Sequence, residues 1–181
     1  MSEIIGYNVD GEIVDTQSYT GGGSEIKFDN SKEALEIIRH SCAHLMAAAI
    51  KELYPDVKFF VGPAIEDGFY YDMRVSKSDG SKLGEDDLAI IEKKMKELAL
   101  AKTSIVKINS TKSEVAAKYA DDDLKQEVLK RIPDGAVSLY SQGGFEDSCR
   151  GPHIPSTIFA RLFRLTRIAG AYLGGDENRE M

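Results

Sequence analysis

The sequence predicts a mixed α+β domain, and three observations carry that prediction. The apolar period of a helix runs unbroken from residue 31 to residue 53, short β-branched and aromatic segments elsewhere are punctuated by Gly and Pro, and no internal repeat is present. With 181 residues, 42% apolar and 29% charged, the chain has the length and balance for one sizeable core.

Residues 1–30 read as a short N-terminal extension and linker. Tyr7 to Gly11 with Ile13 and Val14 suits one or two extended segments, and Gly21, Gly22 and Gly23 suit a flexible break. The main helix then starts from a cap at Asn30 or Ser31. Ala34, Leu35, Ile37, Ile38, Leu45, Ala49 and Leu53 keep its period until Pro55 stops it. Val57 to Val61 and Phe69 to Val75 are expected to form a hairpin-like pair, with turns at Gly62-Pro63 and Asp67-Gly68. Glu85 to Lys102 places Leu88, Ile91, Met95 and Leu98 on one face of an amphipathic surface helix. Ser104 to Ile108 is expected as a strand, Lys112 to Tyr119 and Leu124 to Leu129 as short helices. Val137 to Tyr140 and Phe145 to Ser148 are expected as strands joined across Gly143-Gly144, and Ile158 to Leu173 completes the core.

No apolar tract approaches the roughly 18 to 20 residues needed to cross a bilayer, and the first 30 residues carry acids where a signal peptide carries basic and apolar runs. The expected location is the cytoplasm, without membrane association. Cys42 and Cys149 are too few for a disulfide framework, which suits a reducing compartment. Lys and Arg number 23 against 30 Asp and Glu, so the net charge of −7 opposes tight binding of a polyanion by this chain alone. Arg161, Arg164 and Arg167 recur at every third position and offer either a phosphate-facing patch or a solvated face.

All three histidines fall into two motifs. His40-Ser41-Cys42-Ala43-His44 puts two imidazoles four apart, on one face of the main helix, with Cys42 pointing elsewhere into the core. Cys149-Arg150-Gly151-Pro152-His153 repeats the spacing around a Gly-Pro pair that shapes a loop. His40, His44, Cys149 and His153 together suit a tetrahedral zinc site, or equally a polar cluster that positions and activates water.

Ile37 to His44, Phe60-Val61-Gly62-Pro63, Asp67 to Asp72, Asp147 to Pro155, Ala169 to Tyr172 and Gly175-Asp176 closely resemble the second N-terminal, editing domain of bacterial threonyl-tRNA synthetases. The resemblance covers about residues 31–181, and its paired motifs are shared more loosely with alanyl-tRNA synthetase editing domains and their free-standing relatives. It implies helices packed on an antiparallel β-sheet and hydrolysis of the ester joining serine to the 3′-terminal adenosine of threonine tRNA.

The same resemblance implies site roles. Lys125 matches a lysine of the family's site, and either it or backbone N–H groups near Gly62 would serve the oxyanion. Tyr71 and Asp147 match positions that contact the substrate's amino group or ribose. Independently of the resemblance, His40 or His44 would accept a proton from water or position it, because a neutral imidazole titrates near physiological pH. Cys149 remains open between metal ligand, substrate contact and nucleophile, the last ranked lowest. Alanyl-type sites use the pattern for zinc, whereas no metal is expected to be obligatory here.

Expected partners are the acceptor end of threonine tRNA and the remainder of a synthetase polypeptide, homodimeric when complete. A ubiquitin-like module typical of the family's start is expected to be reduced or missing. The chain is expected to stop before the class II core and so to bind no ATP itself. Two alternatives stand beside this reading: a free-standing zinc-dependent deacylase of the alanyl class, and a non-catalytic tRNA-binding module held by structural zinc.

Overall fold

The structure, a computed structural model, describes residues 3–173 and Met181. The expected helix is helix α1, Lys32–Leu53, capped by the Ser31 side chain, which accepts from the Ala34 N–H. Every residue from Ser41 to Ile50 is buried, because Ala43, Ala47, Ala48 and Ala49 are small enough to let neighbours close on all sides. This places the His40–His44 face inside the molecule.

The N-terminal residues expected as an extension with one or two extended segments hold three strands instead. Strands β1 (Ile4–Val9), β2 (Glu12–Val14) and β3 (Ser24–Lys27) form an antiparallel sheet in the order β2-β1-β3. Asp10 and Gly11 both have positive φ, 53° and 89°, and make the tight turn whose twist suits a two-residue hairpin. The glycine run is not a loose break either: a Cβ on Gly23 would sit 2.1 Å from the Asn8 carbonyl oxygen. Ile5 and Ile26 join the main core with Ile37 of α1.

Strand β4 (Lys58–Phe59) pairs with β7 (Met73–Arg74), and β5 (Ala64–Ile65) pairs with β6 (Gly68–Phe69). The Phe60 N–H donates to the Asp72 carbonyl and the Asp72 N–H to the Val61 carbonyl, both at 2.8 Å. The expected hairpin is therefore present, interrupted at Gly62-Pro63, where Pro removes a ladder donor. Helix α2 (Glu85–Leu100) buries Ile91 and Met95 against the core and leaves Leu88 and Leu98 half-buried.

Strand β8 (Ile105–Thr111), helices α3 (Lys112–Lys118) and α4 (Asp123–Lys130), and strands β9 (Ala136–Gln142) and β10 (Phe145–Ser148) follow, with sheet order β10-β9-β8. Among the described residues, the single antiparallel sheet expected beneath the helices is divided into two three-stranded sheets and two ribbons. After a short 3₁₀ turn, Thr157–Ala160, the chain to Leu173 is largely irregular. Phe159, Ala160 and Leu173 are buried there, whereas Leu162 is 76% exposed. Arg161, Arg164 and Arg167 are exposed on this irregular stretch and share no helical face. Gly174 to Glu180, with the Gly175-Asp176 pair, lie outside the described residues, and no described helix is long and apolar enough to cross a membrane.

Candidate functional site

Two elements bring the motifs together. Helix α1 presents His40 and His44, and the loop after β10 presents Cys149 and His153 around a cis Gly151-Pro152 peptide. His40 Nε2 lies 3.1 Å and His153 Nε2 3.3 Å from Cys149 Sγ, which also accepts from the Gly151 N–H at 3.3 Å. The His40 Nδ1 is 3.3 Å from the Pro152 carbonyl, and the His153 Nδ1 is 3.0 Å from Ser41 Oγ. Ser41 is fixed in turn by the Ile154 N–H at 3.1 Å.

His44 stands apart from that trio. Among the described residues, the ligand atoms of His40, Cys149 and His153 lie within 4.8 Å of one another, and the expected fourth ligand is not in the group. The His44 ring packs against His153 and Phe145, with Nδ1 3.5 Å from Gln142 Oε1. Its Nε2 is buried and has no partner among the described residues. A hydrogen bond from Nδ1–H to Gln142 leaves the lone pair on Nε2.

Burial sets the charge states. Desolvation lowers His44 to about 4, carries His153 well below the ordinary imidazole value and lowers His40 less, the Pro152 carbonyl opposing that last shift. Desolvation also pushes the Cys149 thiol up to about 12. At neutral pH the site thus holds three neutral imidazoles and a thiol, which disfavours unassisted thiolate attack.

The donor set nonetheless suits zinc. The outer nitrogens of His40 and His153 each meet an oxygen, the usual support of ligating imidazoles, and a metal would displace the thiol proton. His40, Cys149 and His153 would hold such an ion, and it would supply Lewis acidity to a water or carbonyl.

A cleft of about 710 Å³ opens over these residues, walled by His40, His44, Gly62, Tyr71 and Cys149 among others. Gly62 is required there because a Cβ would stand 2.3 Å from the Tyr71 ring. Behind the wall, Lys125 pairs with Asp147 at 2.5 Å, their side chains 4% and 2% exposed. The Tyr71 hydroxyl donates to the other Asp147 oxygen, and the Ser148 N–H donates to the first at 2.7 Å. Lys125 and Asp147 therefore satisfy each other, and neither reaches into the cleft unaccompanied. Cys42 is a buried core residue, its thiol raised to about 12 by desolvation.

The structure thus gathers every site residue singled out in the sequence into one region. Sequence reasoning passed over Ser41 and Gln142. Ser41 sits inside the first motif, where the histidine spacing drew attention from it; Gln142 meets His44 across 98 positions, with no local signal.

Residues 137–181 match the family model described as the threonyl and alanyl tRNA synthetase second additional domain. That stretch holds all of β9 but its first residue, β10 and the cysteine–histidine loop, and over it the chain is similar to a synthetase second additional domain. The whole chain is also 68% identical to a threonine–tRNA ligase of Campylobacter hominis and 68% to that of Campylobacter concisus. That of Campylobacter curvus is 66% identical. The chain spans 30% of the length of each of these relatives, and over that span it is a homologue of the threonine–tRNA ligases.

Proposed function

We propose that residues 31–181 are an editing unit of the threonyl/alanyl type that hydrolyses the ester of seryl-tRNA for threonine. The observation that carries this reading is the neutral His44 on the cleft wall, its buried Nε2 lacking a partner among the described residues, beside a cluster of two more imidazoles and a thiol. The threonine–tRNA ligases it resembles supply the reason for such a site. Serine lacks one methyl of threonine, worth only about 1 to 3 kcal/mol of discrimination in a synthetic pocket, so a second pocket that excludes the larger group restores fidelity.

His44 accepts the proton of an attacking water through Nε2, its other nitrogen held by Gln142. His40, Cys149 and His153 set the shape of the cleft floor. Backbone N–H groups near Gly62 serve the developing oxyanion. Lys125 fixes Asp147, and Asp147 with Tyr71 receives the seryl ammonium once that group competes for the carboxylate. Lys32, Arg39 and Arg150 at the cleft outnumber Glu36 and Glu66 there, which favours an approaching phosphodiester end despite the net charge of −7. The acceptor end of threonine tRNA is the partner this charge suits, presented by the rest of a synthetase polypeptide that acts as a dimer in the cytoplasm.

The chain is to be incubated separately with seryl- and threonyl-tRNA for threonine, with and without chelator. Faster loss of the seryl ester, abolished by His44→Ala, supports the reading. Equal rates on both esters, or full activity in His44→Ala, overturn it, and the chelator arm reports whether zinc takes part.

A further inference from the structure

We propose that Asp15, in the N-terminal segment, is a positioning residue for the Cys149–His153 loop and acts through the hydroxyl of Tyr140; its catalytic consequence rests on the reading above. Asp15 is 2% exposed, and its Oδ2 accepts from the Tyr140 hydroxyl at 2.5 Å across 125 positions of sequence. Its Oδ1 accepts from the Ser18 and Gln17 N–H groups at 2.7 and 3.1 Å, so the carboxylate is oriented by its own turn.

That turn is fastened to the main sheet. The Gln17 side-chain amide donates to the Ile105 carbonyl at 2.7 Å and accepts from the Lys107 N–H at 3.0 Å, while the Lys107 ammonium donates to Ser18 Oγ at 2.9 Å. Asp15 is consequently a fixed point with respect to strands β8 and β9.

Tyr140 transmits this position to the cluster. It is fully buried, and its ring meets the His153 ring edge-on at 4.6 Å. Its hydroxyl abuts the backbone of Gly151, where a Cβ would stand 2.1 Å away, and Gly151 has a φ of 72° open chiefly to glycine. The hydroxyl thus wedges under the loop midway between Cys149 and His153. Held by Asp15 it cannot leave that place; released, it becomes a buried polar group without a partner, and ring and loop relax together.

The test compares Asp15→Ala, Tyr140→Phe and the double variant in the 181-residue chain. Nitrogen resonances of the His153 imidazole are read at fixed neutral pH, and kcat and KM for the seryl ester are read in parallel. Asp15→Ala should shift the His153 resonances, though its own bonds go to Gln17, Ser18 and Tyr140, and lower kcat between about tenfold and a hundredfold with KM within about twofold. In the Tyr140→Phe background, removing Asp15 should add nothing further, since both act through one hydrogen bond. Wild-type His153 resonances in Tyr140→Phe and Asp15→Ala overturn the proposal, as does an additive double variant. Should Asp15→Ala fail to fold, Tyr140→Phe alone decides. Should the wild-type chain hydrolyse no ester, the functional reading fails while the imidazole spectra still judge the role of Asp15.

Discussion

Lys125 and Asp147 form an ion pair at 2.5 Å in which both side chains are almost wholly removed from water. Separation of such partners is expensive because the survivor keeps its charge without its counterion. Lys125→Ala should therefore destabilise the chain by about 3 to 5 kcal/mol. Urea unfolding measures this, and a double variant K125M/D147N, which removes both charges, should recover most of the loss.

Tyr71 depends on the absence of a side chain at residue 62. Gly62→Ala would drive a methyl group into the Tyr71 ring, 2.3 Å away, and tilt its hydroxyl off Asp147. The expected cost is about 1 to 3 kcal/mol. Seryl-ester hydrolysis should fall more steeply than the melting temperature, because the displaced ring also forms a wall of the cleft.

Stability should decline with acid in a window set by the buried imidazoles. His44 titrates near 4 in the folded chain against about 6.5 when exposed, and His40 and His153 shift the same way. Between these values the unfolded chain binds more protons, so stability is fully present above the exposed value, falls as pH drops and flattens below the folded one. For His44 alone the full loss is on the order of 3 kcal/mol. Melting temperatures from about pH 7.5 to about pH 4.5 measure the slope, which His44→Asn should reduce.

The three-donor geometry makes a distinction among the histidines. Zinc supplied at neutral pH should raise the melting temperature of the wild type and of His44→Asn, and should leave His40→Ala unchanged. Equal loss of the effect in both variants would place His44 among the ligands.

The Cys149 thiol, raised to about 12 by burial, should react slowly with iodoacetamide near pH 8 in the native chain and rapidly once unfolded. Mass spectrometry of the alkylated residue follows both rates.

Much of the fold was legible because its signals are local. The α1 period, the Ser31 cap and the glycine pair between β9 and β10 lie within a few residues of what they determine. Residues 3–30 were harder to read. The Asp10-Gly11 turn signal was present, but the pairing of β1 with β3 bridges a gap whose glycines resemble a linker. No neighbouring residue announces that Gly23 must be glycine because the Asn8 carbonyl occupies its Cβ position.

The site divides along the same line. Sequence by itself determined the candidate groups: two motifs with four-residue spacing hold all the histidines and both cysteines, and helical or loop geometry brings each pair to one place. Tertiary structure alone decided how they are arranged. It joined His40, Cys149 and His153 while leaving His44 with Gln142, and it buried Lys125 against Asp147. It also set Asp15 behind Tyr140. Those outcomes depend on desolvation and on contacts spanning tens to more than a hundred residues, and neither quantity exists until the chain has closed on itself.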